Sequence, residues 1–210
     1  MRFHHSLDTI LSRSTNVRVL RFFCRKGGAW NGRRIAGELG MNPVTTHKTL
    51  RDLHQATLLD FRKVGNNFVY SLRDEHYLIR ELLRPLFHRE AQAYAHLLAR
   101  LKQSLSVRSR SQVISAAIYG SLVTHRERPT SDVDVVLIVA SEATKQEIRQ
   151  AVDRLWEPLI KEFGNPVALY IATVRDARHK VQRNLPLFQN ILQHHQLLFG
   201  KPLEEVLRVR

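Results

Sequence analysis

The spacing of apolar residues divides the chain into two halves of different character. Val17, Val19, Leu20, Phe22 and Phe23 recur at helical spacing between a capping choice of Ser14 or Thr15 and the breaker Gly27-Gly28, which predicts a first helix. A short second helix follows, with Ile35, Ala36 and Leu39 on one face and Gly40 positioned to close it in the left-handed conformation. Asn42-Pro43 is an N-cap and first-turn pair, and Thr46, Leu50 and Leu53 then recur at intervals of four and three, which predicts a third helix. Two β-prone segments, 58–63 and 68–72, flank the turn-forming "VGNN" and predict a hairpin.

Helical spacing returns with Tyr77, Ile79, Leu82, Leu83 and Leu86, where Pro85 predicts a break or kink, and continues through Tyr94, Leu97, Leu98, Leu101 and Leu105. This second segment is expected to pack inside the chain or against a second copy. The polar run at 102–112, "KQSLSVRSRSQ", reads as a junction. Beyond it the pattern changes to strands: "QVISAAIYG" and "DVDVVLIVA", then "NPVALYIAT" at 165–173, and a helix-rich close.

Composition narrows the function classes. Lys and Arg outnumber Asp and Glu by 33 to 19, a formal charge of +14 shared by both halves, and such a field attracts polyanions, nucleic acid first among them. The single Cys24 excludes an intrachain disulfide and suits a reducing, cytoplasmic setting. No apolar run approaches the roughly 18 residues of a membrane span, and the start lacks an export signal, so a soluble protein with no membrane partner is expected. The adjacent pairs His4-His5 and His194-His195 read as surface histidines, because helical neighbours point apart.

The chemistry concentrates at 119–139. Gly120-Ser121 ends one strand, and Asp132 and Asp134 stand first and third in the next, so alternation puts both carboxylates on one face. Adjacent acids repel unless a cation or proton intervenes, and a magnesium ion bound to phosphate oxygens answers this. Gly120 permits close backbone approach to a phosphate and Ser121 can donate to it. Arg126 and Arg128, in the loop between, are within reach of a phosphate in one reading, while a loop this polar is usually solvated.

Two resemblances follow. Ala36, Gly40, Thr45, Leu50 and Leu53, followed by the hairpin, resemble a winged helix-turn-helix. The resemblance implies a third helix that enters the DNA major groove with Thr45, His47, Lys48 and Arg51, while Arg62 and Lys63 of the wing meet phosphates. Thr57 departs from that pattern, which often has glycine before the first wing strand. Gly120-Ser121, ten residues, then Asp132-Val133-Asp134 resembles the polymerase-β-like nucleotidyltransferases, particularly the minimal ones, over 108–202. That resemblance implies nucleotide binding at Gly120 and Ser121, with Asp132 and Asp134 as magnesium ligands and catalytic acids for a nucleoside triphosphate. It also implies a third carboxylate on a later strand, yet 165–173 holds no acid and Asp176 lies just past it.

The expected fold is α+β: a winged helix-turn-helix over 1–76, connecting helices over 77–107, and a nucleotidyltransferase-like mixed sheet with flanking helices over 108–210. The expected function is a DNA-binding transcriptional regulator, a homodimer, whose second domain binds magnesium-nucleotide. The alternative is an active magnesium-dependent nucleotidyltransferase acting on a protein, RNA or small-molecule acceptor.

Overall fold

The computed structural model describes residues 3–65, 67–104 and 112–208. Most of the junction expected at 102–112, together with Leu105 and Asn66 of the "VGNN" turn, lies outside them. The chain divides into two compact units, Met1–Ala93 and Tyr94–Arg210.

The first unit opens with α1 (Ser6–Leu11) and α2 (Ser14–Lys26), then β1 (Ala29–Asn31), α3 (Gly32–Leu39), α4 (Pro43–Gln55), β2 (Leu59–Val64) and β3 (Asn67–Leu72). The expected punctuation operates as written. Gly40 ends α3 at φ 56°, and the Asn42 side chain caps α4 by accepting from Val44 N at 2.8 Å. Leu20 and Phe23 from α2, Ile35 from α3 and Leu50 and Leu53 from α4 share one core with Leu58 and Leu59, and Ala36 is buried among the helices. Two elements are additions to the expectation. α1 is only six residues long, with Leu7, Ile10 and Leu11 turned to the core, and β1 is only three, joining the hairpin as the antiparallel partner of β3.

The segment before Pro85 corrects the expected helical phase. Leu78–Leu83 forms a π-helical turn, and α5 (Arg84–Ser104) begins directly after it. Pro85 therefore sits where the π turn gives way to α5, and the break expected there is a change of helix type within a continuous helical segment. The wider π turn stacks residues five apart, so Leu78, Leu83 and Phe87, with Ile79, face the core. Tyr77, Leu82 and Leu86 are instead 57%, 41% and 50% exposed.

The second unit is built on a four-stranded sheet in the order β6-β5-β4-β7, made of β4 (Val113–Tyr119), β5 (Val133–Val139), β6 (Val167–Thr173) and β7 (His195–Gly200). β4 runs antiparallel to both β5 and β7, and β5 runs parallel to β6, so the sheet is mixed as expected. The parallel crossover uses α6 (Glu142–Phe163); α7 (Val174–Gln182), α8 (Pro186–Gln193) and α9 (Leu203–Leu207) follow. β5 reads as a continuous apolar run because both of its faces are covered. Val135 and Leu137 pack with Trp156 and Leu159 on one side, Val136 and Ile138 with Phe188 and Ile191 on the other. Leu97 and Leu101 are buried in the first of these clusters, so they belong to the chain's own core and cannot form a contact with a second copy. The helix-rich close is also corrected: helix ends at Gln193, and "HQLLFG" is an edge strand whose backbone pairs with β4.

Candidate nucleotide site and DNA-facing surface

Antiparallel pairing carries the Gly-Ser turn to the aspartates. Tyr119, last in β4, lies beside Asp134 of β5, which brings Gly120 and Ser121 to the end of the sheet where Asp132 and Asp134 begin. Gly120 adopts φ 79°, and a Cβ there would lie 2.2 Å from Asp134 Oδ2. Its conformation favours glycine, and any side chain there would also displace the Asp134 carboxylate. Asp134 is half-buried, and its carboxyl is pushed above the usual carboxylate range, first by burial and then by the charge of Asp132. Burial, with the charge of Asp134 second and Tyr170 third, raises the neighbouring Tyr119 hydroxyl to about 12. Two carboxylates in this setting suit a divalent cation, which removes their repulsion and prefers oxygen ligands.

Strand register identifies what stands beside them. Across the sheet, Ala168 of β6, Asp134 of β5, Tyr119 of β4 and His195 of β7 form one row on one face. The neighbour of Asp134 on the later strand is thus a methyl group. Asp176 lies at the opposite end of the sheet, because β6 runs parallel to β5 from Ala168 to Thr173, about 17 Å at 3.3 Å per residue. There its backbone N–H is held by Thr173 Oγ1 at 3.1 Å, and its carboxylate lies 3.9 Å from Lys145. Asp176 is therefore excluded as a stand-in for the third acid. Among the described residues no three His, Cys, Asp or Glu side chains are grouped to hold a metal.

Beside the Gly-Ser turn is an open cleft of ≈ 580 Å³ lined by Gly120, Ser121, Thr124, Arg126, Asn190 and His194. Arg126 reaches it because its N–H bonds Ser121 O at 2.9 Å, curling the loop back on the turn. Asp132 and Arg128 line a smaller cleft of ≈ 340 Å³ nearby. Asn165 pins this loop by donating from Nδ2 to the carbonyls of Ser131 and Pro129 at 2.9 and 3.1 Å. Of these residues, Asn190 and Asn165 carry no sequence signal, since only the fold brings them here. His195 differs from the surface expectation: its side chain is 10% exposed and sits 3.5 Å from Glu204.

In the first unit, Thr46, Thr49, Leu50 and Leu53 turn α4 inward and leave Thr45, His47, Lys48 and Arg51 exposed together. The His47 ring rests on Gly32, where a Cβ would lie 2.6 Å from Cε1. Arg62 and Lys63 are both exposed, but strand alternation sends them to opposite faces of the wing. Lys63 shares its face with Phe61, Phe68 and Tyr70; Phe61 and Phe68 stack at 5.0 Å, and His54 of α4 packs on Phe61 at 5.7 Å. Burial raises the Tyr70 hydroxyl and the charge of Arg51 opposes it; the His54–Phe61 contact sets this face of the wing, which carries Lys63, against α4. Thr57, before the wing, holds φ 64°, the left-handed conformation that glycine adopts without cost.

Residues 99–186 match the nucleotidyltransferase domain family. No curated protein matches the chain by sequence. Among solved structures, a predicted DNA-binding transcriptional regulator from E. coli is 15% identical, with 42% of this chain and 86% of that one covered and a TM-score of 0.35. The homodimeric winged helix-turn-helix DNA-binding domain Mb0332 from Mycobacterium bovis is 18% identical, with 42% and 78% covered and a TM-score of 0.35. Spectinomycin adenyltransferase AAD(9) from Enterococcus faecialis, solved with ATP and spectinomycin, is 14% identical, with 55% and 60% covered and a TM-score of 0.40. The family match agrees with the mixed sheet and its Gly-Ser turn, and the helix order with the three-stranded wing: the chain carries a nucleotidyltransferase domain at residues 99–186 behind a winged helix-turn-helix fold.

Proposed function

We propose that the protein is a DNA-binding transcriptional regulator whose nucleotidyltransferase domain binds a magnesium-nucleoside triphosphate without rapid transfer. The observation that carries this reading is the row at the sheet end, where Asp134 is held against Gly120 while Ala168 occupies the adjacent strand position. Asp132 and Asp134 would hold the magnesium ion, which supplies charge neutralisation and oxygen coordination for the phosphates. Ser121 donates to a phosphate oxygen, and Arg126 adds a positive charge from the cleft wall. Nothing beside Asp134 on β6 can take a proton from an attacking hydroxyl, so the arrangement favours binding over two-metal transfer.

On the DNA side, Thr45, His47, Lys48 and Arg51 read the major groove, and Lys63, on the same side, meets backbone phosphate. Arg62 points away from that surface. A homodimer would place two α4 helices on two half-sites. Its contact surface is the exposed edge formed by Tyr77, Leu82 and Leu86, since Leu97 and Leu101 are interior.

Incubation with labelled nucleoside triphosphates and cell extract, with and without magnesium, tests the reading. Retention of label that exchanges freely is expected. Covalent labelling of an acceptor that vanishes in the double Asp132→Asn, Asp134→Asn chain would establish the transferase reading instead.

A further inference from the structure

The wing presents a half-exposed pair of aromatic rings. Phe61 and Phe68 are 42% and 50% exposed. In the register of β2 and β3 they are diagonal neighbours on one face, since Phe61 lies opposite Tyr70 and Lys63 lies opposite Phe68. Their rings stack with centroids 5.0 Å apart and planes 19° from parallel. Tyr70 and His54 also pack on Phe61, at 5.0 and 5.7 Å, and anchor it to the interior. Phe68 has Phe61 as its one ring partner among the described residues, which leaves its outer face open to solvent. Lys63, directly across from Phe68, is exposed and has no acidic partner among the described residues. Asp60 is the one acid of these two strands; it alternates to the other face, and Arg73 bonds it at 2.8 Å.

We propose that this face of the wing binds single-stranded nucleic acid, with an unpaired base stacked on Phe68 and its phosphate against Lys63. A ring platform beside an unpaired cation, with no acid from either strand on its face, is complementary to a base joined to a phosphate. An apolar protein partner covering Phe68 would instead strand the Lys63 charge at its edge. Within a duplex the faces of the bases are hidden in the stack, so only an unstacked base can offer one to Phe68. Lys63 is shared with the duplex surface proposed above, and Phe68 distinguishes the two modes. The proposal needs neither base reading by α4 nor the nucleotide site, so it fails separately from both.

The experiment measures fluorescence anisotropy of a labelled oligothymidylate of about 12 nucleotides, within the span of single-strand sites, as the full chain is added. An abasic strand of the same length and charge is titrated beside it, so that the two differ only in their bases. Oligothymidylate is expected to bind about tenfold more tightly, toward the lower end of what one base on an aromatic ring contributes. Phe68→Leu, at an exposed position where an apolar side chain remains, is expected to remove that difference, and Phe68→Tyr to keep it. Lys63→Ala is expected to weaken both strands by a similar factor. Equal affinity of the unchanged chain for the two strands overturns the proposal, as does a difference that survives Phe68→Leu. Absence of saturable binding to oligothymidylate at high micromolar protein overturns it as well. A duplex titrated alongside tests the α4 reading on its own.

Discussion

Asp134 sits where burial and the charge of Asp132 both oppose its ionisation. Its folded-state pKa lies above the unfolded value, so between the two the native chain holds more protons. The stability this group contributes is then present at low pH and lost as pH rises through the folded pKa. In the metal-free chain, Asp134→Asn should raise Tm at pH 7 by on the order of 1–2 °C, a modest gain because the carboxylate is partly solvated. The difference should fade below about pH 4, where both states are protonated. Thermal melts in chelator across that range check the sign. Thr57 offers a second residue-scale test. Its φ of 64° means that Thr57→Gly should be more stable than Thr57→Ala by about 1 kcal/mol, the reverse of the usual order, as read from urea titrations.

At the scale of elements, the proposed DNA complex would divide the work of binding between α4 and the wing, whose groups behave differently. Arg51→Ala should relax sequence preference, whereas Lys63→Ala should weaken all duplexes alike and lower the salt slope by about one unit. Arg62→Ala, on the opposite face of β2, should leave that slope unchanged; fluorescence anisotropy over a salt series separates the three. Elements bounded by strong local signals were legible in the sequence: Gly40, Asn42-Pro43 and the alternation around the wing turn each act within a few residues. The strand after Asp132 was legible for the same reason. Local patterns could not reveal that Leu78–Leu83 takes π geometry, which moves Tyr77, Leu82 and Leu86 outward, or that "HQLLFG" leaves helix to pair with β4. Those outcomes depend on partners far away in the chain. The same limit applies to the site. Asp132, Asp134 and Gly120-Ser121 are recognisable by spacing, while the parallel register that excludes Asp176 and seats Ala168 appears only once β6 is placed.

For the whole molecule, a charge of +14 favours polyanions in general and supplies no sequence reading, and in the proposed DNA complex one winged helix would cover few base pairs. Light scattering at micromolar concentration is expected to give twice the 24.4 kDa chain mass, and Leu82→Asp with Leu86→Asp to return it to one. A single-chain mass for the unchanged protein would contradict the dimer. The central claim concerns the aspartate pair, and calorimetric titration of the full chain with nucleoside triphosphate tests it most directly. Binding heat is predicted with magnesium, and none with chelator or in the chain carrying Asp132→Asn and Asp134→Asn. Absence of heat at millimolar nucleotide with magnesium, or equal heat from the double variant, would contradict the account.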